Sequence, residues 1–248
     1  MRTFPYDLKA ARRPRLGLIV LQTDERIEPD LHRLLPTQTE LFVTRVPSGL
    51  DVTPETLQAM HDHIAASAAL LPQADTFDVV GYGCTSGSAQ IGPQNVAAQV
   101  RAGVATQAVT EPVSALVAAC RALGVTRIAV LSPYVAAVSD RLRDVLDGQG
   151  VASPVFGTFA EAEEARVSRI DPRSTRAAAL ELLAQGGVEA LFLSCTNLDA
   201  LDIIADLEVE TGLPVLSSNL VLGWHMAHLA GLALAPDFAD CRLAREAR

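Results

Sequence analysis

Short apolar runs rich in β-branched residues alternate along the chain with longer, Ala- and Leu-rich segments of helical periodicity. The apolar runs predict strands at 15–21, 40–46, 77–83, 127–132, 189–194 and 213–218. The intervening segments predict helices near 54–71, 93–102, 113–123, 135–147, 173–186 and 199–211. Strands and helices that alternate in this way form parallel sheets covered by helices. The pattern therefore predicts an α/β protein.

Three of these helices carry a start signal. Thr53 precedes Pro54, Asp171 precedes Pro172, and Asn197 precedes an acidic segment. Thr, Asp and Asn accept hydrogen bonds from the first N–H groups of a helix, and Pro is favoured at its first position. We therefore expect helices to begin at these points.

The two halves of the chain follow the same plan. When GLIVLQTD is aligned with RIAVLSPY, Leu21 lies opposite Leu131. Cys84 lies 63 positions after Leu21, and Cys195 lies 64 positions after Leu131. Each half thus has a strand, a polar turn, about 60 residues of further structure, a second strand and a Cys-Thr pair. The repeat predicts two pseudo-symmetric lobes.

Four side chains fall at the carboxyl ends of predicted strands, where open parallel sheets bind their ligands. Asp24 and Tyr134 occupy equivalent positions in the alignment of the halves, as do Cys84 and Cys195. If the lobes face each other about a pseudo-twofold axis, the two thiols approach one interlobe cleft from opposite sides.

Polar residues follow both cysteines: Thr85 and Ser86 in the first half, and Thr196 and Asn197 in the second. Backbone N–H groups at such turns stabilise a thiolate and also bind a carboxylate. Two reactions suit a carboxylate held between two thiols. One thiol can remove an α-proton while the other returns a proton to the opposite face. Alternatively, a thiolate can add to a carbon–carbon double bond. The resulting single bond rotates, and elimination then gives the geometric isomer.

Composition narrows the possible partners and cofactors. The chain has 248 residues, a formal charge of −9 and 49% hydrophobic residues, which favours a globular protein and disfavours nucleic acid or an anionic membrane as partner. It has no long apolar span and no secretory signal, and its four cysteines form no CxxC pair, so we expect free thiols and a cytoplasmic location. The histidine spacings predict no metal site, and no nucleotide-binding motif occurs, so we expect no cofactor.

Simpler interpretations of the same residues are also open. Free cysteines are often buried and inert, so Cys84 and Cys195 could simply be core residues. The protein could also be a non-catalytic protein that keeps the cleft to bind a metabolite. Cys120, in a helical segment, is predicted to be core, and Cys241 to be incidental. Asp24 could cap the helix that follows it.

The segments GCTSGS, SCTN, LQTDERIE, SPY and VSRIDP resemble, in order, motifs of the aspartate/glutamate racemase superfamily. They cover roughly 15–225 and are most similar to the branch of maleate cis–trans isomerases and arylmalonate decarboxylases. The resemblance implies two flavodoxin-like lobes with parallel sheets and the active site in the cleft between them. The N-terminal lobe would comprise 1–111 plus 217–248, and the C-terminal lobe 112–216. Homo-oligomers are common in this family.

The resemblance also implies roles for individual residues. Cys84 matches the nucleophile of maleate isomerases, Cys195 the opposing proton donor or acceptor, and Tyr134 a tyrosine that binds a substrate carboxylate. The remaining positions that match carboxylate-binding residues are Thr85, Ser86, Thr196 and Asn197. Arylmalonate decarboxylases have glycine at the first cysteine position, so two cysteines favour isomerisation over decarboxylation.

Two departures from the maleate isomerase pattern bear on the substrate. Asp24 stands where those enzymes have Asn, and an ionised Asp suits an ammonium group better than a second carboxylate. The Asn expected just before Val167 is also missing from the segment Glu163-Glu164-Ala165-Arg166. The primary hypothesis is a cofactor-independent isomerase of a small carboxylic acid, similar to maleate isomerase. The alternative is an amino-acid racemase, since the first turn resembles the branch linked to ectoine utilisation.

Overall fold

The computed structural model describes residues 1–8 and 12–246, and its strands form two parallel four-stranded sheets. The strands are β1 (Arg15–Leu21), β2 (Glu40–Val46), β3 (Phe77–Gly83), β4 (Thr106–Thr110), β5 (Arg127–Tyr134), β6 (Ala152–Glu161), β7 (Ala190–Leu193) and β8 (Val215–Ser217). Their order is β2-β1-β3-β4 in one sheet and β6-β5-β7-β8 in the other. The second sheet thus repeats the first, which confirms the predicted two-lobed α/β fold.

Helices connect the strands and cover the sheets. They are α1 (Ile27–Leu34), α2 (Pro54–Ala59), α3 (His61–Ala68), α4 (Thr85–Ile91), α5 (Pro93–Gly103), α6 (Pro112–Leu123), α7 (Ala136–Asp147), α8 (Glu164–Val167), α9 (Pro172–Leu183), α10 (Ile204–Thr211), α11 (Ser218–Leu229) and α12 (Arg242–Glu246). Short 3₁₀ turns span Leu201–Ile203 and Pro236–Phe238. Within the described ranges, no helix combines the length and the apolar character that a membrane span needs.

The predicted and observed elements differ mainly at the sheet edges. Strands β1, β3, β5 and β7 are central and almost wholly buried, so their apolar runs were visible in the sequence. Strands β4 and β6 lie at edges, are partly exposed and carry polar residues, so the pattern did not reveal them. Tertiary pairing, and not local hydrophobicity, makes these two segments strands.

Two of the three predicted helix starts are confirmed. The Thr53 side chain accepts a hydrogen bond from the N–H of Thr56, and Asp171 accepts one from the N–H of Arg173. Asn197 is not a helix cap, because the next turn begins only at Leu201. The helix predicted over 54–71 is divided into α2 and α3.

Helix α11 follows the last strand of the second sheet but packs on the first. A Cβ atom at Gly81 of β3 would lie 2.6 Å from the Met226 Sδ of α11, and one at Gly223 would lie 3.0 Å from the side chain of Leu34 in α1. Glycine at both positions lets the helix approach closely without displacing these side chains. Helix α11 also packs against α6, the helix after β4. The two lobes therefore share a helical junction beside the carboxyl ends of their sheets.

Candidate active site

The predicted site residues all lie at or just after the carboxyl ends of central strands. Asp24 follows β1, Cys84 follows β3, Tyr134 ends β5, and Cys195 comes shortly after β7. The parallel arrangement of each sheet brings the ends of neighbouring strands to one edge. Side-chain hydrogen bonds then connect the residues at the edge of one sheet with those at the edge of the other.

Ser218, the first residue of α11, connects the two Cys-Thr turns. The Thr85 hydroxyl donates to Ser218 Oγ at 2.7 Å, and the backbone N–H of Cys195 donates to the same oxygen at 2.9 Å. The Thr196 hydroxyl also donates to the carbonyl of Gly83 at 3.4 Å. The residues that flank one cysteine are thus bonded to those that flank the other. No motif in the sequence marks Ser218, because its role depends on two contacts with residues 133 and 23 positions away in the chain.

Cys84 occupies the N-cap position of α4, with an extended backbone. Its Sγ accepts a hydrogen bond from the N–H of Gly87 at 3.2 Å. A Cβ at position 87 would lie 2.9 Å from that sulfur, so glycine leaves room for the contact. Burial raises the pKa of the Cys84 thiol, the Gly87 N–H opposes this, and the charges of Glu164 and Asp24 raise it further. The thiol is therefore neutral in the closed site.

Cys195 has a strained backbone, and both a hydroxyl and an N–H group lie within hydrogen-bond distance of its sulfur. Its φ of 148° lies in a region that non-glycine residues rarely occupy, and such strain is concentrated at functional sites. The Tyr134 hydroxyl lies 2.9 Å from Cys195 Sγ, and the N–H of Asn197 donates to it at 3.2 Å. Burial raises the pKa of this thiol and Glu164 adds to the increase, whereas the Tyr134 hydroxyl lowers it.

Glu164, in α8, is a buried carboxylate that the sequence analysis did not assign to the site. It accepts a hydrogen bond from the Tyr134 hydroxyl at 2.7 Å and another from Asn197 Nδ2 at 2.9 Å. Burial raises its pKa, and these two hydrogen bonds oppose the increase. A signal was present, since Glu164 lies in the segment before Val167 where the family's Asn is missing. The donors assigned to a substrate carboxylate therefore hold a carboxylate of the protein itself.

Asp24 is buried, and its two carboxylate oxygens have different surroundings. Oδ1 accepts hydrogen bonds from the N–H groups of Arg26 and Ile27, at 2.8 and 2.9 Å, in the turn that leads into α1, whose N-cap position is Arg26. Oδ2 is buried without a hydrogen-bond partner among the described residues. Burial raises the pKa of Asp24, and the two N–H groups oppose this. Asp24 is thus not the N-cap of α1, but one of its oxygens holds the turn before the helix, and the Thr196 side chain also interacts with its carboxylate.

Asn197 links the lobes in addition to holding Glu164. Its Oδ1 accepts a hydrogen bond from the N–H of Glu25, which belongs to the first lobe, at 2.9 Å. Ser86 lies buried in the first turn of α4, and Thr196 is buried beside Asn197. The structure thus gathers all eight predicted residues in one region; their catalytic and binding roles remain predictions.

A short backbone contact, here called the strap, holds Glu164 in position. It joins residues 50–52 of the first lobe to 162–164 of the second. The N–H of Val52 donates to the Ala162 carbonyl at 3.0 Å, and the N–H of Glu164 donates to the Leu50 carbonyl at 3.2 Å. All eight predicted site residues are less than a tenth exposed. The strap therefore fixes the backbone of Glu164 beside this buried site.

The other cysteines lie outside this region. Cys120 is fully buried in α6, which confirms that it is a core residue, and Cys241 is partly exposed near the C-terminus. Throughout 1–8 and 12–246, no three His, Cys, Asp or Glu residues are grouped as a metal site requires.

Comparison with known proteins identifies the family. The family model described as arylmalonate decarboxylase matches residues 16–243, almost the whole chain. The chain belongs to this family. The predicted branch of the superfamily and the prediction of an enzyme are thereby confirmed, whereas no comparison bears on the ectoine-related subgroup.

Relatives within the family include both isomerases and decarboxylases. Maleate isomerase from Nocardia farcinica is 28% identical over 218 residues, which cover 82% of this chain and 85% of the relative. Arylmalonate decarboxylase from Bordetella bronchiseptica is 26% identical over 229 residues, covering 90% and 93%. A solved structure of a cysteine-to-serine mutant of the Nocardia farcinica maleate cis–trans isomerase carries a covalently bound succinylcysteine intermediate. It superposes with a TM-score of 0.79 at 25% identity, covering 93% of this chain and 98% of that one.

Proposed function

We propose that the protein is a cofactor-independent isomerase in which the thiols of Cys84 and Cys195 act together on a small carboxylic acid. The observation that carries this proposal is the joining of two equivalent Cys-Thr turns through Ser218 at the carboxyl ends of β3 and β7. A fold that needed only small buried residues at these points would not require a strained backbone at one of them.

The surroundings of the two sulfurs suit proton transfer or nucleophilic attack. Cys84 faces the N–H of Gly87, which stabilises a thiolate. Cys195 faces the Tyr134 hydroxyl, whose oxygen can accept a hydrogen bond from the thiol and whose proton is held by Glu164. N–H and hydroxyl groups of the Cys-Thr turns bind the substrate carboxylate. Because both groups are free thiols, the enzyme suits a reducing compartment, and we propose the cytoplasm.

A relative supports the participation of a thiol. In the Nocardia farcinica maleate isomerase, a cysteine carries a covalently bound succinyl group. Transferred to this chain, that finding supports a covalent or proton-transferring role for one of the two buried thiols. The presence of both cysteines favours isomerisation, since both faces of a substrate carbon can then be reached.

Substitution of each thiol tests the proposal. We expect Cys84→Ser and Cys195→Ser each to lower turnover by about 10²- to 10⁴-fold, the range typical of a lost acid–base group. Cys241→Ser, which alters a cysteine outside the site, is the matched control and should retain wild-type turnover. Turnover would be followed by proton NMR on a panel of small unsaturated and α-substituted carboxylic acids, with circular dichroism to verify folding. A folded Cys84 or Cys195 variant with nearly normal activity would rule out the two-thiol mechanism.

A further inference from the structure

Two residues contact both the Cys195 sulfur and the Glu164 carboxylate. The Tyr134 hydroxyl lies 2.9 Å from Cys195 Sγ and donates to Glu164 Oε1 at 2.7 Å. Asn197 donates its backbone N–H to the same sulfur at 3.2 Å and its side-chain N–H to Glu164 Oε2 at 2.9 Å. Glu164 therefore lies beside the Cys195 thiol, with one residue between each carboxylate oxygen and the sulfur.

The polar side-chain protons of these two residues are all donated to Glu164. Tyr134 has one O–H proton, which Glu164 Oε1 accepts. The Asn197 amide has two N–H protons, and they are donated to Oε2 and to the backbone carbonyl of Glu164, at 2.9 and 3.3 Å. The amide cannot be reversed, because Asn197 Oδ1 accepts the N–H of Glu25 at 2.9 Å. A substrate carboxylate thus finds no free side-chain proton on either residue.

Glu164 is also held in place by its own backbone. Its N–H donates to the Leu50 carbonyl at 3.2 Å, and the nearby Ala162 carbonyl accepts the N–H of Val52 at 3.0 Å. The Glu164 residue is buried. A ligand that displaced this side chain would leave a buried carboxylate without its two donors, which is costly in a site that water does not reach. The carboxylate is therefore a fixed part of the site.

No basic side chain compensates the charge of Glu164. The guanidinium groups close to it in the chain are paired elsewhere, Arg166 with Glu161 and Arg169 with Glu25. Within 1–8 and 12–246, no Arg or His side chain forms a hydrogen bond or ion pair with Glu164. A second carboxylate at this point would contact the first with no cation between them, and two carboxylates that share a site cannot both be ionised without a large cost.

We propose that Glu164 determines the substrate class: it fills the position of a second substrate carboxylate, so that the enzyme accepts monocarboxylates and rejects dicarboxylates. This inference rests on the proposed function and specifies its substrate. The single substrate carboxylate binds at the Cys-Thr turns, and the other end of the substrate, which faces Glu164, carries hydrogen-bond donors. Each Glu164 oxygen accepts one side-chain hydrogen bond and has the capacity to accept another. Maleate and arylmalonates, for which the relatives are named, each carry two carboxylates.

The first test compares acids that differ by one carboxylate. Isothermal titration calorimetry of the wild-type protein with maleate and maleamate, and with L-aspartate and L-asparagine, covers both reactions that two thiols can perform. Within at least one pair the amide should bind about 10- to 100-fold more tightly than the dicarboxylate, the range expected when a buried polar group is left unpaired. Equal or tighter binding of the dicarboxylates would overturn the inference and leave the two-thiol isomerase intact. Failure of all four acids to bind would overturn both proposals.

The second test changes the selectivity itself. Glu164→Asn removes the charge, shortens the side chain and frees the Tyr134 proton, so the affinity for the dicarboxylates should rise by about 10- to 100-fold. Glu164→Gln removes the charge but keeps the length, and the preference for the amides should fall to a few-fold. Glu163→Asn, at the exposed neighbouring position, is the matched control and should leave every affinity unchanged.

Thermal unfolding of each variant establishes that it is folded. A merely structural role of Glu164 would weaken the binding of both members of a pair alike, whereas a selective role changes the ratio of their affinities. If folded Glu164→Asn and Glu164→Gln both reject the dicarboxylates as strongly as wild type does, Glu164 does not determine the substrate class.

Discussion

The Cys84 and Cys195 turns occupy equivalent places in two sheets of the same strand order, yet the chain around each sulfur differs. Cys84 has an extended backbone and is followed at once by helix α4. Cys195 has a φ of 148°, and no helix follows it directly. One sulfur therefore faces helix N–H groups, and the other faces a loop and a tyrosine.

The difference extends to the acidic and hydroxyl groups at the ends of β1 and β5. The first half provides a carboxylate at Asp24, and the second half provides a phenol at the equivalent position, Tyr134. The Tyr134 hydroxyl lies 2.9 Å from the Cys195 sulfur and also donates to the buried Glu164, whereas the Tyr82 hydroxyl near Cys84 donates to the Met60 sulfur. Two groups whose surroundings differ in this way are suited to different acid and base roles. The duplicated topology thus sets where the thiols lie, and the local sequence sets how each holds its proton.

The sharpest test of this comparison replaces one tyrosine in each half with phenylalanine. Tyr134→Phe removes the hydroxyl that contacts both Cys195 and Glu164, so we expect a loss in kcat of roughly 10- to 100-fold, corresponding to about 1–3 kcal/mol for a buried partner left unpaired. Tyr82, buried in β3, also lies beside a thiol, that of Cys84, but its hydroxyl donates to the Met60 sulfur at 3.8 Å, a weak acceptor, where Tyr134 donates to a carboxylate. Tyr82→Phe should therefore have a much smaller effect. Equal losses would mean that the two halves do not differ as described.

A second test concerns the bond between the halves. Ser218→Ala leaves the Thr85 hydroxyl and the Cys195 N–H without their shared acceptor, and we expect the free energy of unfolding to fall by about 1–3 kcal/mol. Thr85→Val removes only one of the two contacts and should cost less. Urea unfolding of both variants measures the difference. If Ser218→Ala is as stable as wild type, this serine does not hold the two turns together.

A third test concerns a buried acid that supports the Cys195 turn from the first lobe. Asn219 Nδ2 donates both to Asp30 and to the Thr196 carbonyl, at 2.8 Å in each case. Burial raises the pKa of Asp30 from 3.8 to about 6, and the Asn219 hydrogen bond opposes the increase. Because the folded-state pKa is raised, this contribution to stability is present below about pH 4 and is lost as the pH rises through about 6.

Asp30→Asn should therefore flatten the decline in unfolding free energy over that interval, by at most about 3 kcal/mol relative to wild type. Urea unfolding near pH 4 and near pH 7 gives the change in unfolding free energy with pH for each protein. The difference in that change between wild type and Asp30→Asn isolates Asp30 from other titrating groups. Equal changes in the two proteins would show that Asp30 titrates normally.

Much of the fold and part of the site could be predicted from local sequence. The four central strands are buried on both faces, so they appear as continuous apolar runs, and the spacing from Leu21 to Cys84 matches that from Leu131 to Cys195. The edge strands β4 and β6 could not be found in this way, because their partly exposed faces carry polar residues. Glu164 was visible only as a departure from a motif.

The sequence by itself determined that two lobes of one topology would each carry a Cys-Thr pair at a strand end. A central strand is buried on both faces, so it needs apolar residues along its whole length, and this makes it visible in the sequence. The family resemblance placed the segment after 217 with the first lobe, but only the tertiary structure decided that Ser218 connects the two turns and that the strap brings Glu164 onto Tyr134 and Asn197. Those contacts join residues 23 to 133 positions apart in the chain. No local pattern encodes them, since they depend on how the finished lobes pack together.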